Sequence, residues 1–293
     1  MRAETLPPEV VVAPEPVVVR RRRRVDRGKL LVDALLLVGA AATSLPFFWM
    51  VFSAVKPRSE ATAVPPHLLP QEPTWEFVRY LFTTLDFGRY LVNTVVVVLI
   101  GFVGLFFMAM AGYGFAKFRF RGRSAMFMVV LATMMIPVQV TMIPTYLILN
   151  SVGLTNTLVG IALPTLVSAF GIFLFREFMS TIPDEVLEAA RIDGAGEARA
   201  FLSIVLPMSG PILAVQTVLT FIAGWNSFLW PLVIAGEQSK YTLSVGLALL
   251  NQQVATNPSL QMAGAAVMVV PIVVLFVFFQ RYIVQGFTMS GLK

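Results

Sequence analysis

The chain has no cysteine, a single histidine and few charged residues. The absence of cysteine excludes disulfide bonds and thiol chemistry. The histidine, His67, lies in a proline-rich loop without metal-ligand spacing around it, so we predict no metal site. Charged residues make up 13% of the 293 residues, against roughly 25% in soluble domains. With 57% hydrophobic residues and a mean hydropathy of +0.79, the composition indicates a polytopic membrane protein.

Motifs for catalysis and nucleotide binding are also lacking. The sequence contains no G-x-x-x-x-G-K-[ST] phosphate loop, carboxylate pair or nucleophile–base pair. We therefore expect a chain that is not an enzyme, that binds no cofactor itself and that receives energy from elsewhere. A secondary transporter driven by an ion gradient is the alternative, although such proteins usually carry ionisable residues at mid-membrane. Asp33 is the only acidic residue within a predicted span. A membrane scaffold without a transport role is compatible with the composition as well.

Six apolar runs are long enough to cross a membrane, which takes about 20 residues in a helix. They predict an all-α polytopic membrane fold with six transmembrane helices. Prolines interrupt several runs, and small residues such as Gly101 and Gly104, or Gly112 and Ala116, recur at packing distances. These features predict bent helices that approach one another closely. The predicted spans are residues 30–55, 90–116, 125–149, 156–175, 208–235 and 260–284.

Residues 1–29 are predicted to form a disordered basic arm. Their eight basic and four acidic side chains contribute +4 of the net charge of +6. The run Arg20–Arg24 is compatible with a nucleic-acid patch, but an apolar run follows it, which favours a cytoplasmic anchor; we expect no nucleic-acid partner. Basic residues also concentrate in KFRFRGR after span two and in the loop after span four. This pattern predicts a multi-pass protein of the cell membrane with both termini in the cytoplasm.

A charged stretch, residues 177–207, interrupts the apolar pattern between spans four and five. It contains the sequence EAARIDGAGEARAFLSIVLP. Asp184 favours the positive end of a helix dipole, and a short helix is predicted over residues 184–193. Gly194 can adopt the left-handed conformation that ends such a helix. A second short helix is expected to resume near Ala195.

An apolar ridge is predicted on the second short helix. Phe201, Ile204 and Val205 lie on one helical face, at i, i+3 and i+4 spacing. Pro207 is expected to break the helix before span five. Two interpretations of the ridge are open. It docks a partner protein as a helix in a groove, or it packs on the ends of neighbouring spans.

The pattern Glu-Ala-Ala, two residues, Asp-Gly-Ala, then Phe201, Ile204 and Pro207 resembles the EAA motif of the membrane subunits of ABC importers. Within that superfamily, the chain is most similar to the carbohydrate-importer permeases related to the second maltose permease subunit. The resemblance identifies residues 30–293 as a six-helix permease domain. Further matching stretches are AGYGFAKFRFRGR (111–123), LPTLVSAFGIFLFREFMSTIPDEVLEAARIDGA (163–195), GWNSFLWPL (224–232) and QRYIVQGFTMSGLK (280–293).

This resemblance implies that residues 177–207 are a coupling loop, whose helix docks into a cleft on a cytoplasmic ATPase subunit. ATP-driven closure of two such subunits would switch the membrane subunits between inward-open and outward-open states. The implied partners are a second homologous permease, two cytoplasmic subunits that bind ATP and Mg, an extracellular solute-binding protein, and membrane lipid. The implied coupling residues are Glu188, Ala189, Ala190, Asp193, Gly194, Ala195, Phe201 and Pro207; secondary candidates in the C-terminal tail are Gly291, Leu292 and Lys293.

Polar side chains at membrane depth are candidates for the substrate pathway, since amides, hydroxyls and aromatic faces bind sugars. Hydrogen bonding between helices is the alternative role for each of them. The candidates are Asn93, Gln139, Trp225 and Asn226. The resemblance further implies that the outer loop 236–258 reaches into the external binding protein, with the contact between Gln238 and Asn257. It also implies that the solute is a di- or oligosaccharide, a polyol or a glycerol phosphate.

Overall fold

The computed structural model describes residues 27–253 and 257–290, with side-chain environments for residues 28–252 and 257–280. Every regular element in these ranges is helical, which confirms the predicted all-α fold. Short 3-10 turns lie at Leu163–Thr165 and Gln238–Lys240, and a π-helical turn at Phe201–Val205. The α-helices are α1 (Arg27–Ala54), α2 (Arg58–Ala61), α3 (Glu76–Thr83), α4 (Phe87–Lys117), α5 (Arg123–Thr133), α6 (Val138–Ser151), α7 (Leu158–Ala162), α8 (Ala169–Ser180), α9 (Asp184–Ile192), α10 (Glu197–Ala200), α11 (Leu206–Met208), α12 (Gly210–Trp225), α13 (Leu229–Ile234), α14 (Leu243–Gln253) and α15 (Pro258–Ser290).

Among the described residues, three helices are long and apolar enough to cross a membrane alone, namely α1, α4 and α15. Three bent combinations reach the same length when each is taken as one span. These are α5 with α6, α7 with α8, and residues Glu197–Met208 with α12. Five of the predicted runs overlap these elements closely, whereas the bent combination nearest the fifth run begins at Glu197 and ends at Trp225, about ten residues earlier than predicted. A count of six spans follows if each broken pair crosses the membrane once.

Two of the bends fall where proline or a helix cap interrupts the hydrogen-bond ladder. Helices α5 and α6 are bent by 100° at Pro137, which has no N–H to donate. The 47° bend between α7 and α8 follows Pro164. Beyond it, the Ser168 hydroxyl accepts a hydrogen bond from the Gly171 N–H at 3.0 Å and so starts α8. The predicted bends are therefore present at Pro137 and Pro164, whereas Pro46, Pro144 and Pro271 lie inside the continuous helices α1, α6 and α15.

The fifth predicted span, residues 208–235, is divided in the structure. The chain bends by 79° at the junction before α12, which ends at Trp225, and α13 follows as a separate helix. Asn226 and Ser227 favour the end of α12 after Trp225, because asparagine and serine side chains compete with the helix for backbone hydrogen bonds. Pro231 is tolerated in α13 since it lies in the first turn, where no N–H is required.

The chain divides into two compact units, residues 1–46 and 47–293. In the first unit, the described part is the beginning of α1, an apolar helix in which the Thr43 hydroxyl donates to the Gly39 carbonyl at 2.9 Å. In the second unit, three apolar clusters lie along α4. Representative buried members are Phe87, Leu81 and Leu243 in one cluster, Val97, Leu149 and Ile161 in the next, and Met108, Phe175 and Val205 in the third.

Helices α4 and α8 approach each other at positions that require glycine. A Cβ atom on Gly112 would lie 2.5 Å from the Cβ of Phe175. A Cβ atom on Gly104 would lie 1.6 Å from the carbonyl oxygen of Leu166, just before α8. Both distances are far below van der Waals contact, so a side chain at either position would push the backbones apart. The predicted close approach of helices is confirmed at these two glycines.

Where the structure describes the predicted outer loop, residues 236–258, most of it is folded against the core and is not an open loop. Its described part, residues 236–253, is here called the α14 segment and contains a 3-10 turn followed by α14. Leu243 is fully buried. Exposed side chains remain near the two ends, at residues 236–238 and 251–252. Among the described residues of this segment, the most exposed surface for a contact with another protein therefore lies at those ends.

Candidate functional site

Helix α9 and the turn that ends it form the centre of the candidate coupling loop. Gly194 has a φ of +81°, a left-handed conformation that glycine adopts without strain. The Gly194 N–H donates to the Arg191 carbonyl at 3.0 Å, and the Ala195 N–H donates to the Ala190 carbonyl at 2.9 Å. Together these bonds form a Schellman motif, which satisfies the last carbonyls of the helix. The predicted glycine corner is confirmed.

One face of α9 is buried and the opposite face is open. Leu187 is 2% exposed and Ala190 is 7% exposed, so these two side chains seat the helix on the rest of the chain. The remaining predicted coupling residues of this helix and corner are accessible. Glu188, Ala189, Asp193 and Gly194 are exposed, and Ala195 is half-buried. Their contact with an ATPase subunit stays a prediction, while Ala190 is a packing residue.

Ile192 is a candidate docking residue that sequence reasoning missed. It is the last residue of α9 and its side chain is 86% exposed, next to the glycine corner. The sequence RIDG could have indicated this residue. Its isoleucine is an isolated apolar side chain between two charged ones and comes directly before the Asp-Gly pair that ends the helix. An apolar anchor surrounded by polar residues is typical of energetically dominant contacts in interfaces.

The apolar ridge of the second short helix is covered by the chain itself. Phe201 is only 5% exposed, and its ring stacks on that of Tyr113 with the centroids 5.2 Å apart. Val205 is fully buried and Ile204 is half-buried. Of the two interpretations, packing on the end of a neighbouring span is the one observed. Phe201 therefore fixes the loop to α4 and presents no surface to a partner.

Pro207 lies just before the bend that leads into α12. It is exposed within α11, which follows the π-helical turn. Two residues later, the Ser209 N–H and hydroxyl both donate to the Val205 carbonyl, at 2.9 and 2.7 Å. The chain then turns by 79° into Gly210. The predicted break is therefore present, and it falls at Ser209, beyond the proline.

An ion pair ties the start of α9 to the end of α4. Lys117 Nζ lies 2.6 Å from Asp184 Oδ1 and also donates to the Ile182 carbonyl. The lysine side chain is 5% exposed, whereas that of Asp184 is 70% exposed. The hydrogen bond from Lys117 and its charge lower the pKa of Asp184. The carboxylate therefore stays ionised at neutral pH and holds a nearly buried ammonium group.

A second polar connection joins both halves of the loop to α4. Arg191 Nε, on α9, lies 2.8 Å from Glu197 Oε1, on α10. The Tyr113 hydroxyl, on α4, donates to Glu197 Oε2 at 3.3 Å. The hydrogen bond and charge of Glu197 raise the pKa of Arg191. The stretch that contains Tyr113 and Lys117 was recognisable in the sequence, but the role of neither residue was.

Two of the four substrate-pathway candidates are committed to backbone hydrogen bonds. Asn93 is 6% exposed, and its amide donates to the carbonyls of Ser239 and Tyr241 at 3.0 and 2.9 Å. Trp225 is 3% exposed, and its Nε1 donates to the Met268 carbonyl at 2.9 Å. The Trp225 bond joins α12 to α15, and the Asn93 bonds join α4 to the backbone just before α14, so both side chains have the alternative, structural role.

The other two candidates, Gln139 and Asn226, are exposed. Asn226 lines an open groove of about 240 Å³ together with Ser244 and Asn251. The amides of Asn226 and Asn251 offer the kind of hydrogen bonding that sugars require, whereas the Ser244 hydroxyl already donates to the Trp225 carbonyl at 3.0 Å. Gln139 lies on α6, which is exposed over most of its length. A role in the pathway stays a prediction for both residues.

The C-terminal tail and metal binding complete the predicted features. Gly291, Leu292 and Lys293 lie outside the described residues, so the tail contact stays a prediction. Within the part of the chain that the structure describes, no group of three or more His, Asp or Glu side chains is placed to hold a metal ion. His67 is exposed, and its carbonyl accepts a hydrogen bond from Lys56.

Known proteins match this chain over most of its length. Residues 108–289 match the family described as binding-protein-dependent transport system inner membrane component. An arabinooligosaccharides transport system permease protein from Halalkalibacterium halodurans is 34% identical over 274 residues, which cover 90% of this chain and 97% of that protein. An sn-glycerol-3-phosphate transport system permease protein from Yersinia pestis bv. Antiqua is 32% identical over 277 residues, which cover 92% and 98%.

A solved structure with a similar fold also matches this chain. It is the crystal structure of a bacterial ABC transporter involved in the import of the acidic polysaccharide alginate. The matching chain has a TM-score of 0.77 and 26% sequence identity, and the match covers 88% of this chain and 98% of that one. The region that matches the family runs from Met108 in α4 through the coupling loop and into α15. The candidate site therefore lies within the matched region.

Proposed function

Since this chain belongs to the family of binding-protein-dependent transport system inner membrane components, we propose that it is one of two permease subunits of an ATP-driven importer for a carbohydrate. The observation that carries the proposal is the coupling loop. An exposed helix face and a glycine corner, fastened to α4 by two polar connections, stand at the positions of the EAA pattern. The resemblance to carbohydrate-importer permeases is confirmed by both relatives and by the solved structure.

The solute is proposed to be rich in hydroxyl groups. The two relatives are named for arabinooligosaccharides and sn-glycerol 3-phosphate, and the solved transporter imports alginate. Hydroxyl groups are what these solutes share, so we extend to this chain a di- or oligosaccharide, a polyol or a glycerol phosphate. Gln139 and Asn226 are the candidates for hydrogen bonds to it, because Asn93 and Trp225 are already bonded to backbone carbonyls.

ATP hydrolysis is proposed to take place on two separate subunits, which hold ATP and Mg, while this chain binds no cofactor. Its sequence has no phosphate loop, so energy has to enter through a protein contact. Ile192 supplies an apolar anchor for that contact, and the small residues Ala189 and Gly194 permit close approach. Glu188 is exposed beside them and can pair with a basic group.

The coupling loop and both termini are proposed to face the cytoplasm. The concentration of lysine and arginine in the N-terminal arm and in the loop at residues 117–123 supports this orientation. The exposed ends of the α14 segment then face the opposite side, where they would meet an extracellular solute-binding protein. A second, homologous permease completes the translocation pathway, and membrane lipid surrounds the pair.

Co-purification tests this function. The tagged chain is expressed with its candidate ATPase subunit and second permease, as wild type, as Gly194→Asp, and as the control Gly153→Asp. Gly153 matches the corner in conformation, with φ of +70°. A Cβ added to either glycine would meet open space, with no atom beyond the adjoining residues within 4 Å. The two substitutions therefore place the same side chain in the same backbone conformation at two different loops.

We expect the wild type and Gly153→Asp to co-purify with the ATPase subunit. Gly194→Asp should lose it. Equal recovery with all three would show that the corner is not the docking element. If the wild type recovers no ATPase, and an ion gradient alone drives uptake, the chain is a secondary transporter and the proposal fails.

A further inference from the structure

Helix α4 holds the coupling loop at one end and the α14 segment at the other. At its last turns, Tyr113 and Lys117 bind the loop; near its first turns, Asn93 and Thr94 bind residues of the α14 segment. The family resemblance assigns no role to these four side chains. Their placement raises the question of what a helix fastened at both ends does when the loop moves.

The fastening at the loop end involves both halves of the loop. Lys117, nearly buried, bridges the Asp184 carboxylate at the start of α9 and the Ile182 carbonyl before it. Tyr113 donates to Glu197 on α10 and stacks on Phe201. A displacement of the loop relative to α4 would break an ion pair, expose an ammonium group and separate two stacked rings. These contacts therefore oppose any separation of the coupling loop from the end of α4.

The first turns of α4 are hydrogen-bonded to the α14 segment. Thr94 is fully buried, and its hydroxyl accepts a hydrogen bond from the Leu243 N–H, the first residue of α14, at 2.8 Å. The Asn93 amide donates to two carbonyls just before α14. The Gln238 amide donates to the Tyr90 hydroxyl at 2.6 Å. Three side chains in the first turns of α4 thus hold the backbone and one side chain of the α14 segment.

Between these two ends, α4 is suited to carry a displacement. It has 31 residues without proline, whereas α1 and α15 each contain one. At about 1.5 Å per residue, it extends over about 46 Å. Gly104 and Gly112 lock it against the chain before and within α8 along its length. A continuous hydrogen-bonded helix with anchored ends transmits motion without needing any change in its own fold.

We propose that α4 transmits the movement of the coupling loop to the α14 segment, with Lys117 and Tyr113 as positioning residues at one end and Asn93 and Thr94 at the other. This inference rests on the proposed function, because it needs an ATPase that moves the loop. It assigns a role to the stretch AGYGFAKFRFRGR, whose tyrosine and lysine hold the coupling loop in place.

The test uses the complete importer in lipid vesicles with its solute-binding protein, and measures sugar uptake and ATP hydrolysis in parallel. Lys117→Met removes the ammonium group and keeps the side-chain length, and Thr94→Val removes the hydroxyl and keeps the shape. Arg121→Met is the charge control, since Arg121 is exposed in the turn between α4 and α5, four residues after Lys117, and makes no ion pair among the described residues. Thr217→Val is the hydroxyl control, because within the described ranges the Thr217 hydroxyl bonds only to the Leu213 carbonyl on its own helix.

Lys117→Met and Thr94→Val are each expected to lower the sugar transported per ATP about tenfold, within the range usual for coupling between sites. Recovery of ATPase subunits and ATP hydrolysis without binding protein should stay at the wild-type level. The double variant should be no worse than the more affected single variant, because both interrupt one connection. The conservative variant Lys117→Arg should retain most of the sugar transported per ATP, since its guanidinium group can still reach Asp184. Both controls should behave as wild type.

The proposal would be overturned if both single variants transported as much sugar per ATP as the wild type. It would also be overturned if the reduction in sugar transported per ATP in the double variant equalled the product of the two single reductions. If Lys117→Met does not give a monodisperse complex, Asp184→Asn replaces it, because that side chain is 70% exposed and its loss leaves the core intact. Failure of the proposed function is distinguishable from both outcomes, since the wild-type chain itself would then recover no ATPase.

Discussion

The ring of Tyr113 lies nearly parallel to that of Phe201, with an interplanar angle of 30° and 5.2 Å between centroids. The same tyrosine donates its hydroxyl to Glu197, one turn earlier in the loop. One side chain of α4 therefore makes both an apolar and a polar connection to the second half of the coupling loop. The two connections can be separated by mutation.

Phe201→Ala is expected to destabilise the protein by about 3–5 kcal/mol, because it removes a buried ring and leaves a cavity. Tyr113→Phe keeps the stacking and loses one hydrogen bond to a carboxylate, so about 1–2 kcal/mol is expected. Thermal loss of the monodisperse peak of the detergent-solubilised protein measures both. Leu202→Ala, at an exposed neighbour, is the control and should have little effect. Equal losses for Phe201→Ala and Leu202→Ala would contradict the packing described for the ridge.

Substitutions at Gly194 should destabilise the protein to different degrees, according to how readily each residue adopts a positive φ. A Cβ at this position would meet open space, so the cost of a side chain arises from the positive φ. That cost is about 1–2 kcal/mol for ordinary residues, lower for asparagine and higher for β-branched residues. Gly194→Asn should therefore lower the thermal midpoint less than Gly194→Val. Identical midpoints for the two variants would show that the left-handed turn is not retained in the folded protein.

Two glycines of α4, Gly104 and Gly114, differ in the space available for a side chain. Gly104→Ala places a methyl group against the Leu166 carbonyl, where a Cβ would lie 1.6 Å from the oxygen, whereas a Cβ on Gly114 would meet open space. Gly104→Ala should reduce the yield of folded protein in the membrane, and Gly114→Ala should be neutral or slightly stabilising, since alanine favours helix. Gel-filtration yield after extraction measures both. A Gly104→Ala variant with wild-type yield would contradict the close approach.

Much of this architecture could be predicted from the sequence, because each apolar run must satisfy its own backbone hydrogen bonds in a membrane and is therefore helical. The corner at Gly194 was also predictable, since glycine is favoured at a left-handed helix end. The ridge containing Phe201 was ambiguous, because periodicity identifies an apolar face without identifying what covers it. The role of Lys117 depends on residues far away in the sequence, which local patterns do not reveal. The burial of the α14 segment was missed for the same reason.

Ile192 should contribute to partner binding and hardly at all to folding. Because its side chain is 86% exposed, Ile192→Ser is expected to change the stability of the isolated subunit by less than about 0.5 kcal/mol. Loss of a central apolar anchor typically costs an interface about 2 kcal/mol or more, so ATPase affinity should fall about thirtyfold. Titration of the detergent-solubilised permease pair with ATPase subunit measures that affinity directly.

Two variants separate the anchor role of Ile192 from a general effect of exposed apolar residues. Ile192→Leu preserves the volume and should retain most of the affinity, since a pocket that accepts isoleucine adapts to an isomeric side chain at small cost. Ile143→Ser removes a comparably exposed isoleucine on α6, 71% exposed, and should leave ATPase binding unchanged. If Ile192→Ser binds ATPase as tightly as wild type, the contact is made by the charged and small residues of α9 alone. If Ile143→Ser weakens binding equally, the loss reflects the membrane domain as a whole and the anchor role of Ile192 is refuted.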